Sequence, residues 1–288
     1  MKVLVTGGRG FIGRRFVKRF ERLNYEVVVV DLKDGIDLRD YCKESEEVFD
    51  LIVHCAAIVG GRATINGEPL RVATDLSIDA ELFNWALRTG QKKIVYFSSS
   101  AAYPVEYQTD DNFQLLQEDM IDFKTIKMPD MTYGWAKLTG EFLAQFAREA
   151  GIEVYVFRPT SGYDEDQDDD YPFSQFIKRA KNKENPFIVW GDGEQTRDFI
   201  HVDDIVEGVL TAVQKGIQGP TNLCTGRQTS FNDLARMVMA EAGYEAEIKN
   251  LTDKPVGVRH RVGNPDNLLK FYDPKITLKE GIKRCFEK

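Results

Sequence analysis

The chain opens on a short apolar run, Lys2-Val3-Leu4-Val5-Thr6, that stops at a cluster of glycines. From Phe11 the apolar spacing changes: Phe11, Ile12, Phe16, Val17 and Phe20 fall on one side of a helix. A second run, Glu26 to Val30, ends in Asp31. The alternation then repeats. Asp50 to Ala57 reads as a buried strand running into small residues, and a helix follows with Leu76, Ala80, Phe83 and Leu87 on one face. Lys93 to Phe97 is a strand ending in Ser98-Ser99-Ser100, and a helix from about Thr132 to Ala150 carries Trp135, Leu138, Phe142 and Phe146 as its apolar face. Glu153 to Phe157 is the next strand, closed by Arg158-Pro159. Strand and helix alternating over short connections predict an α/β fold, a doubly wound parallel sheet covered on both faces. In such sheets ligands lie outside the carboxyl ends of the strands. The glycines, Asp31, Ala56-Ala57, the three serines and the Arg158 to Thr160 corner all fall at that edge.

The glycines can be read as Gly8-x-Gly10-x-x-Gly13 or as Gly7-x-x-Gly10-x-x-Gly13. One glycine makes a tight turn, one lets backbone approach a diphosphate, and Gly13 lets helix pack close to strand. The free amides of the helix start suit the diphosphate. Asp31 lies about twenty residues further on, where a ribose hydroxyl is accepted. Strand, glycines, helix, strand and acid together make this a Rossmann-type dinucleotide fingerprint. Asp31 favours NAD, because its charge would repel a 2′-phosphate; Arg9 and Lys33 keep NADP open.

After Thr160 the regularity breaks. A helix over Phe173 to Ala180, a strand over Phe187 to Trp190, a helix reaching Val213, a strand near Asn222, a helix from Asn232 to Ala242, a strand near Glu247 and a final helix from Leu278 are predicted. This divides the chain into a Rossmann domain over 1–158, rejoined by about 191–214, and a smaller C-terminal substrate lobe from 159–190 and 215–288. The acid run Asp164 to Asp170 reads as a solvated mobile loop rather than a metal site; no metal is expected. A formal charge of −8 speaks against nucleic-acid or anionic-membrane surfaces. Cys42, Cys55, Cys224 and Cys285 are scattered, which gives neither a disulfide framework nor a zinc site. No apolar run is long enough to span a bilayer and no signal peptide is visible, so a cytoplasmic protein is expected.

Tyr133 and Lys137 stand four apart and share one helix face. A free phenol is a poor base at neutral pH, and a neighbouring ammonium lowers its pKa. The pair can then take a proton and return it. His54, at a strand end, reads as a packed histidine, and Trp85 and Trp135 as core.

With these residues in place, the chain resembles an extended short-chain dehydrogenase/reductase of the NAD-dependent epimerase/dehydratase type, which acts on nucleotide-diphosphate sugars. The likeness runs from Met1 to about Gly281. It implies that Gly7, Gly10, Phe11, Ile12, Gly13, Asp31, Asp37, Leu38, Ala56 and Ala57, with Tyr133 and Lys137, hold NAD. It implies Ser99, Tyr133 and Lys137 as the catalytic set. It also implies a substrate site of Ser99, Ser100, Tyr133, Arg197, Arg259 and Arg261, and a homodimer built on the Tyr133 helix and the helix starting near Asp75. Ser99 to Pro104, Gly60-Gly61 and Gly257 to Asn267 resemble the GDP-mannose 3,5-epimerase and GDP-fucose synthase branch. That branch places a Cys acid/base where this chain has Ala101, and its Lys or His partner has no match. The Asp-Glu pair of the 4,6-dehydratases is missing as well. Asp75 and Ser161 stand where the family usually has Asn. What the resemblance then implies is chemistry at C4: a 4-epimerase first, a 4-keto-sugar reductase second, and a non-catalytic NAD-binding scaffold third.

Overall fold

A computed structural model describes residues 1–59, 65, 67–169 and 171–287. The Gly60-Gly61 loop and Asp170 lie outside the described residues. Among the described residues the main sheet has six parallel strands. These are β1 (Lys2–Thr6), β2 (Glu26–Val30), β3 (Leu51–His54), β4 (Lys93–Phe97), β5 (Glu153–Pro159) and β10 (Thr221–Leu223), in the order β10-β5-β4-β3-β1-β2. From β1 the chain goes one way to β2 and then back past β1 to β3. The crevice at the β1/β3 carboxyl ends is therefore the switch point where a doubly wound sheet takes its ligand. The sixth strand comes from a stretch the sequence pattern assigned to the smaller lobe.

Strand alternation divides the core in two. Val3, Val5, Val53, Val95, Phe97 and Phe157 face one side, against Phe16 and Phe20 of helix Gly13–Arg22 and Val209 of helix Val202–Lys215. Leu4, Ile52, Ile94, Val154 and Val156 face the other, against Leu82 and Trp85 of helix Thr74–Thr89 and Ala144 of helix Met131–Glu149. Side chains buried on both faces explain why the strands read as continuous apolar runs.

The smaller lobe has its own core of Tyr163, Phe173, Phe176, Phe187, Phe231, Leu234 and Ile282. Its strands are short. β6 (Ser161–Tyr163) pairs with β9 (Phe199–His201), and β7 (Phe187–Trp190) pairs with β12 (Ile248–Leu251). β8 (Thr196–Arg197) lies between β11 (Thr229–Ser230) and β13 (His260–Arg261).

The expected apolar face of the Met131–Glu149 helix needs correction. Trp135, Phe142 and Phe146 are exposed; the buried face is Gly134, Ala136, Lys137, Leu138, Gly140, Glu141, Ala144 and Ala147. Small residues take the inner face because the helix lies close on the sheet. A side chain at Gly140 would run into the Tyr96 hydroxyl, and one at Gly134 into the Ala101 carbonyl. Leu76 and Leu87 on the neighbouring helix are exposed too, whereas Trp85 is core as expected.

The acid run is also not a free loop. Asp164 is buried, and Arg15 donates to it at 2.7 and 3.0 Å and to Glu165 at 3.1 Å. Burying a carboxylate requires a partner, and Arg15 in the helix after the glycines supplies it. Asp168 and Asp169 remain exposed.

Candidate functional site

Gly7 takes φ +66°, and a Cβ on it would stand 2.7 Å from the Ala56 amide nitrogen. Only glycine fits there. The Gly10 amide donates to the Gly7 carbonyl at 2.9 Å, and a side chain on Gly13 would strike that same carbonyl. Ile12, at the N-cap of helix Gly13–Arg22, offers no side-chain acceptor. The Arg14 and Arg15 amides bond back to the Gly10 and Ile12 carbonyls at 3.1 and 3.0 Å, so an anion at this helix start would meet the amides that precede them. Phe11 and Ile12 are half-buried beside them, and Ile12 packs on the core.

Asp31 is held by its own neighbourhood. Its carboxylate accepts the Arg9 amide and the Lys33 amide, each at 2.8 Å. The Arg9 guanidinium pairs with Asp34 at 2.7 Å. Asp37 caps the helix Leu38–Glu44 and pairs with Arg39 at 2.6 Å, which lowers its pKa; Leu38 is buried. The Ala56 amide donates to the Thr6 hydroxyl at 3.2 Å, and Ala57 follows it in the loop. An uncapped helix end, a glycine cradle pressed on backbone and a fixed acid past the second strand fit a dinucleotide.

Helix Met131–Glu149 carries Tyr133 and Lys137 to the carboxyl end of β4. The Asp130 amide donates to the Ala101 carbonyl at 2.9 Å, which pins the helix start to the turn Ser100–Ala102. Lys137 is buried; its ammonium stands 5.9 Å from the Tyr133 ring centre and 5.5 Å from that of Tyr96. Ser99 and Tyr133 both line the cavity wall, and the Ser99 hydroxyl favours the Tyr133 phenolate. Of the three serines, Ser98 points elsewhere: it bonds Glu141, which also holds Arg158 at 2.7 Å in a buried pair. Arg158 therefore braces the helix from behind and does not face the ligand edge.

In the free protein the Tyr133 pKa is raised, not lowered. Enclosure in the cleft pushes it up, Lys137 pulls it down, and Asp75 and Asp79 push it up again. For Lys137, burial favours the neutral amine, but Asp79, Tyr133 and Asp75 outweigh it and the pKa rises. The lysine is thus an ammonium at neutral pH.

Asp79 is a residue the sequence reading missed. Buried on helix Thr74–Thr89, it accepts from Tyr96 at 2.6 Å and meets His54 at 2.9 Å. His54 in turn meets the Thr6 hydroxyl at 2.7 Å, so it is packed, as its position suggested. Burial works against the Asp79 carboxylate, but His54 and Lys137 more than compensate and its pKa is lowered. Two acids four apart on an otherwise apolar helix face were the available signal.

A cavity of about 510 Å³ adjoins the cluster, lined by Ser99, Ser100, Ala101, Asp130, Tyr133, Ser161, Gln167, Trp190, Gln195, Arg197, Phe231 and Arg261 among others. Arg197 donates to the Thr196 and Val256 carbonyls, and its guanidinium lies 5.6 Å from the Phe231 ring centre. Arg261 pairs with Asp130 at 2.7 Å. Arg259 does not join them: it is held by Asp192 and Asp110, outside the cavity lining. Two competing carboxylates drew it away. Asp130, Gln167 and Gln195 were not singled out by the sequence reading.

The sheet order, the glycine cradle and the Ser–Tyr–Lys cluster define a short-chain dehydrogenase/reductase fold. The sequence model of the NAD dependent epimerase/dehydratase family matches residues 3–224. The chain belongs to that family, and NAD is its cofactor. A dTDP-4-dehydro-6-deoxy-D-allose reductase from Streptomyces bikiniensis is 31% identical over 90% of this chain and 87% of the relative. A GDP-mannose 3,5-epimerase from Oryza sativa subsp. indica is 27% identical over 98% of this chain and 80% of the relative. The crystal structure of UDP-glucose 4-epimerase with UDP-glucose from Thermotoga maritima superposes with a TM-score of 0.80, at 27% identity, over 100% of this chain and 98% of the other. Among the described residues no helix is long and apolar enough to cross a membrane.

Proposed function

We propose that the protein is an NAD-dependent nucleotide-diphosphate-sugar 4-epimerase. The observation that carries this reading is the meeting of Ser99 and Tyr133 at the wall of the cavity, with the Lys137 ammonium buried 5.9 Å from the Tyr133 ring centre. Tyr133 takes the proton of the sugar C4 hydroxyl and later returns it. Ser99 hydrogen-bonds the same oxygen. Lys137 stabilises the phenolate across their shared helix face. Bound NAD supplies the place where the C4 hydride is parked and from which it returns. Arg197 and Arg261 bring positive charge to the substrate diphosphate, where planar guanidinium forks suit phosphate oxygens. Ala101 offers only a methyl group beside the sugar, which supports chemistry confined to C4 over epimerisation at C3 or C5. In this reading 159–190 and 215–288, apart from the sheet strand Thr221–Leu223, serve as the substrate lobe.

Purified protein given UDP-, GDP-, CDP- and dTDP-hexoses is expected to interconvert C4 epimers with no net reduction of nicotinamide. The Tyr133→Phe variant should lose turnover by about a thousandfold while still binding NAD. Full activity in that variant would sink the mechanism. A second reading is a 4-keto-sugar reductase, favoured by the 31% identity to a reductase. It would show stoichiometric loss of reduced cofactor with a 4-keto sugar. We also propose a homodimer. Trp135, Phe142 and Phe146 with Leu76 and Leu87 form an exposed apolar face on two adjacent helices, and a second copy would cover it.

A further inference from the structure

Asp75 sits in the first turn of helix Thr74–Thr89 and is fully buried. One carboxylate oxygen accepts the Ile58 amide at 2.6 Å, in the loop that continues from Ala56 and Ala57. The other oxygen is buried and, among the described residues, has no hydrogen-bond partner. Asp79, one turn along, differs: both of its oxygens are engaged, by His54 and Tyr96. The two carboxyls act with Lys137 and Tyr133 of the adjacent helix. Other titratable groups in this cluster are His54 and Cys55 on the β3 side and Tyr96 on β4. Two carboxyls thus share one ammonium, and a phenolate on Tyr133 adds a third negative charge. In a buried cluster a like charge opposes ionisation. Asp79 is locked ionised by its donors, so the carboxyl free to release the excess charge is Asp75.

We propose that Asp75 is a positioning residue that sets the pH at which Tyr133 becomes a base. Ionised, it holds a negative charge against the phenolate; protonated, it withdraws that charge. Its proton is exchanged with solvent, and no bond to carbon is made or broken. Burial pushes the Asp75 carboxyl up to about 6, with Lys137 and the Ile58 amide pulling against it and Asp79 adding to it. The exchange therefore falls close to neutral pH. The proposal rests on Tyr133 as the base, and its test separates the two.

The ultraviolet absorbance of tyrosinate is titrated in NAD-loaded protein, with the same titration of Tyr133→Phe subtracted to isolate one phenol. Asp75→Asn keeps an acceptor for the Ile58 amide and removes the charge; Asp75→Ser does the same with a smaller group. Both are expected to move the Tyr133 midpoint to lower pH by about one unit. In both, the rising limb of kcat against pH should move the same way, with little change in KM. A midpoint that stays in place or rises in both variants overturns the proposal, as does the absence of any Tyr133 step in the native protein. Should Tyr133→Phe keep full activity, the epimerase mechanism falls, while the absorbance titration still decides whether Asp75 and Tyr133 are coupled.

Discussion

Asp75 also leaves a mark on stability. An aspartate titrates near 4 in an unfolded chain, whereas here burial raises it to about 6. The folded state therefore holds a proton that the unfolded state has released across that window. Its contribution to stability is present below about pH 4 and is lost as pH rises toward 6. Asp75→Asn cannot lose it. Urea unfolding at pH 4.5 and pH 7.5 should find the variant gaining stability over the native chain at the higher pH only. An equal change at both values would mean that the carboxyl is not held neutral by its surroundings. Neither Asp75 nor Asp79 could be assigned this environment from the sequence. Their partners lie 17 and 25 residues away in the case of Asp79, on a strand and a strand end. The glycine motif was legible because its logic is local: a turn, a carbonyl and a helix start within one short stretch.

At the scale of elements, the Met131–Glu149 helix is placed by what it lacks. Gly140 faces the Tyr96 hydroxyl with no room for a methyl group. Gly140→Val should force the helix off the sheet and cost about 1–3 kcal/mol. It should also lower kcat by more than that loss of stability explains, since Tyr133 and Lys137 ride on the same helix. Thermal unfolding and steady-state rates, measured together, check this. Activity unchanged alongside a lower melting temperature would mean that the helix yields elsewhere. Periodicity located this helix, but of its expected apolar face only Leu138 is buried. An apolar stripe says that something covers it, not what. Trp135, Phe142 and Phe146 form such a stripe, while the face on the sheet is built of Gly and Ala around Lys137 and Glu141.

For the whole molecule, that outward stripe bears on assembly. Covering a large apolar side chain stabilises by about 2 kcal/mol, and the exposed set spans two packed helices. Sedimentation at micromolar protein should find a dimer, and a Phe142→Glu, Phe146→Glu double variant should sediment as a monomer. A native chain that stays monomeric would count against the proposed pairing. The parallel sheet, by contrast, could be anticipated from alternation alone, because each strand is buried on both sides. The smaller lobe was harder to read: its strands are two to four residues long and owe their place to partners far along the chain. Arg15 and Asp164 are the clearest case, 149 residues apart and joined at 2.7 Å.

That junction sets a rule for anyone redesigning this enzyme. The segment from Gly162 to Asp169 borders the cavity and is the natural place to transplant a relative's sequence when a new sugar is wanted. Yet its acids are matched to a cation in the cofactor-binding half. A donor segment without them would strand Arg15, and a donor helix without Arg15 would strand Asp164. Transplants should therefore travel in pairs, loop with helix, or the graft will fail for want of a counter-charge before its new specificity can be read.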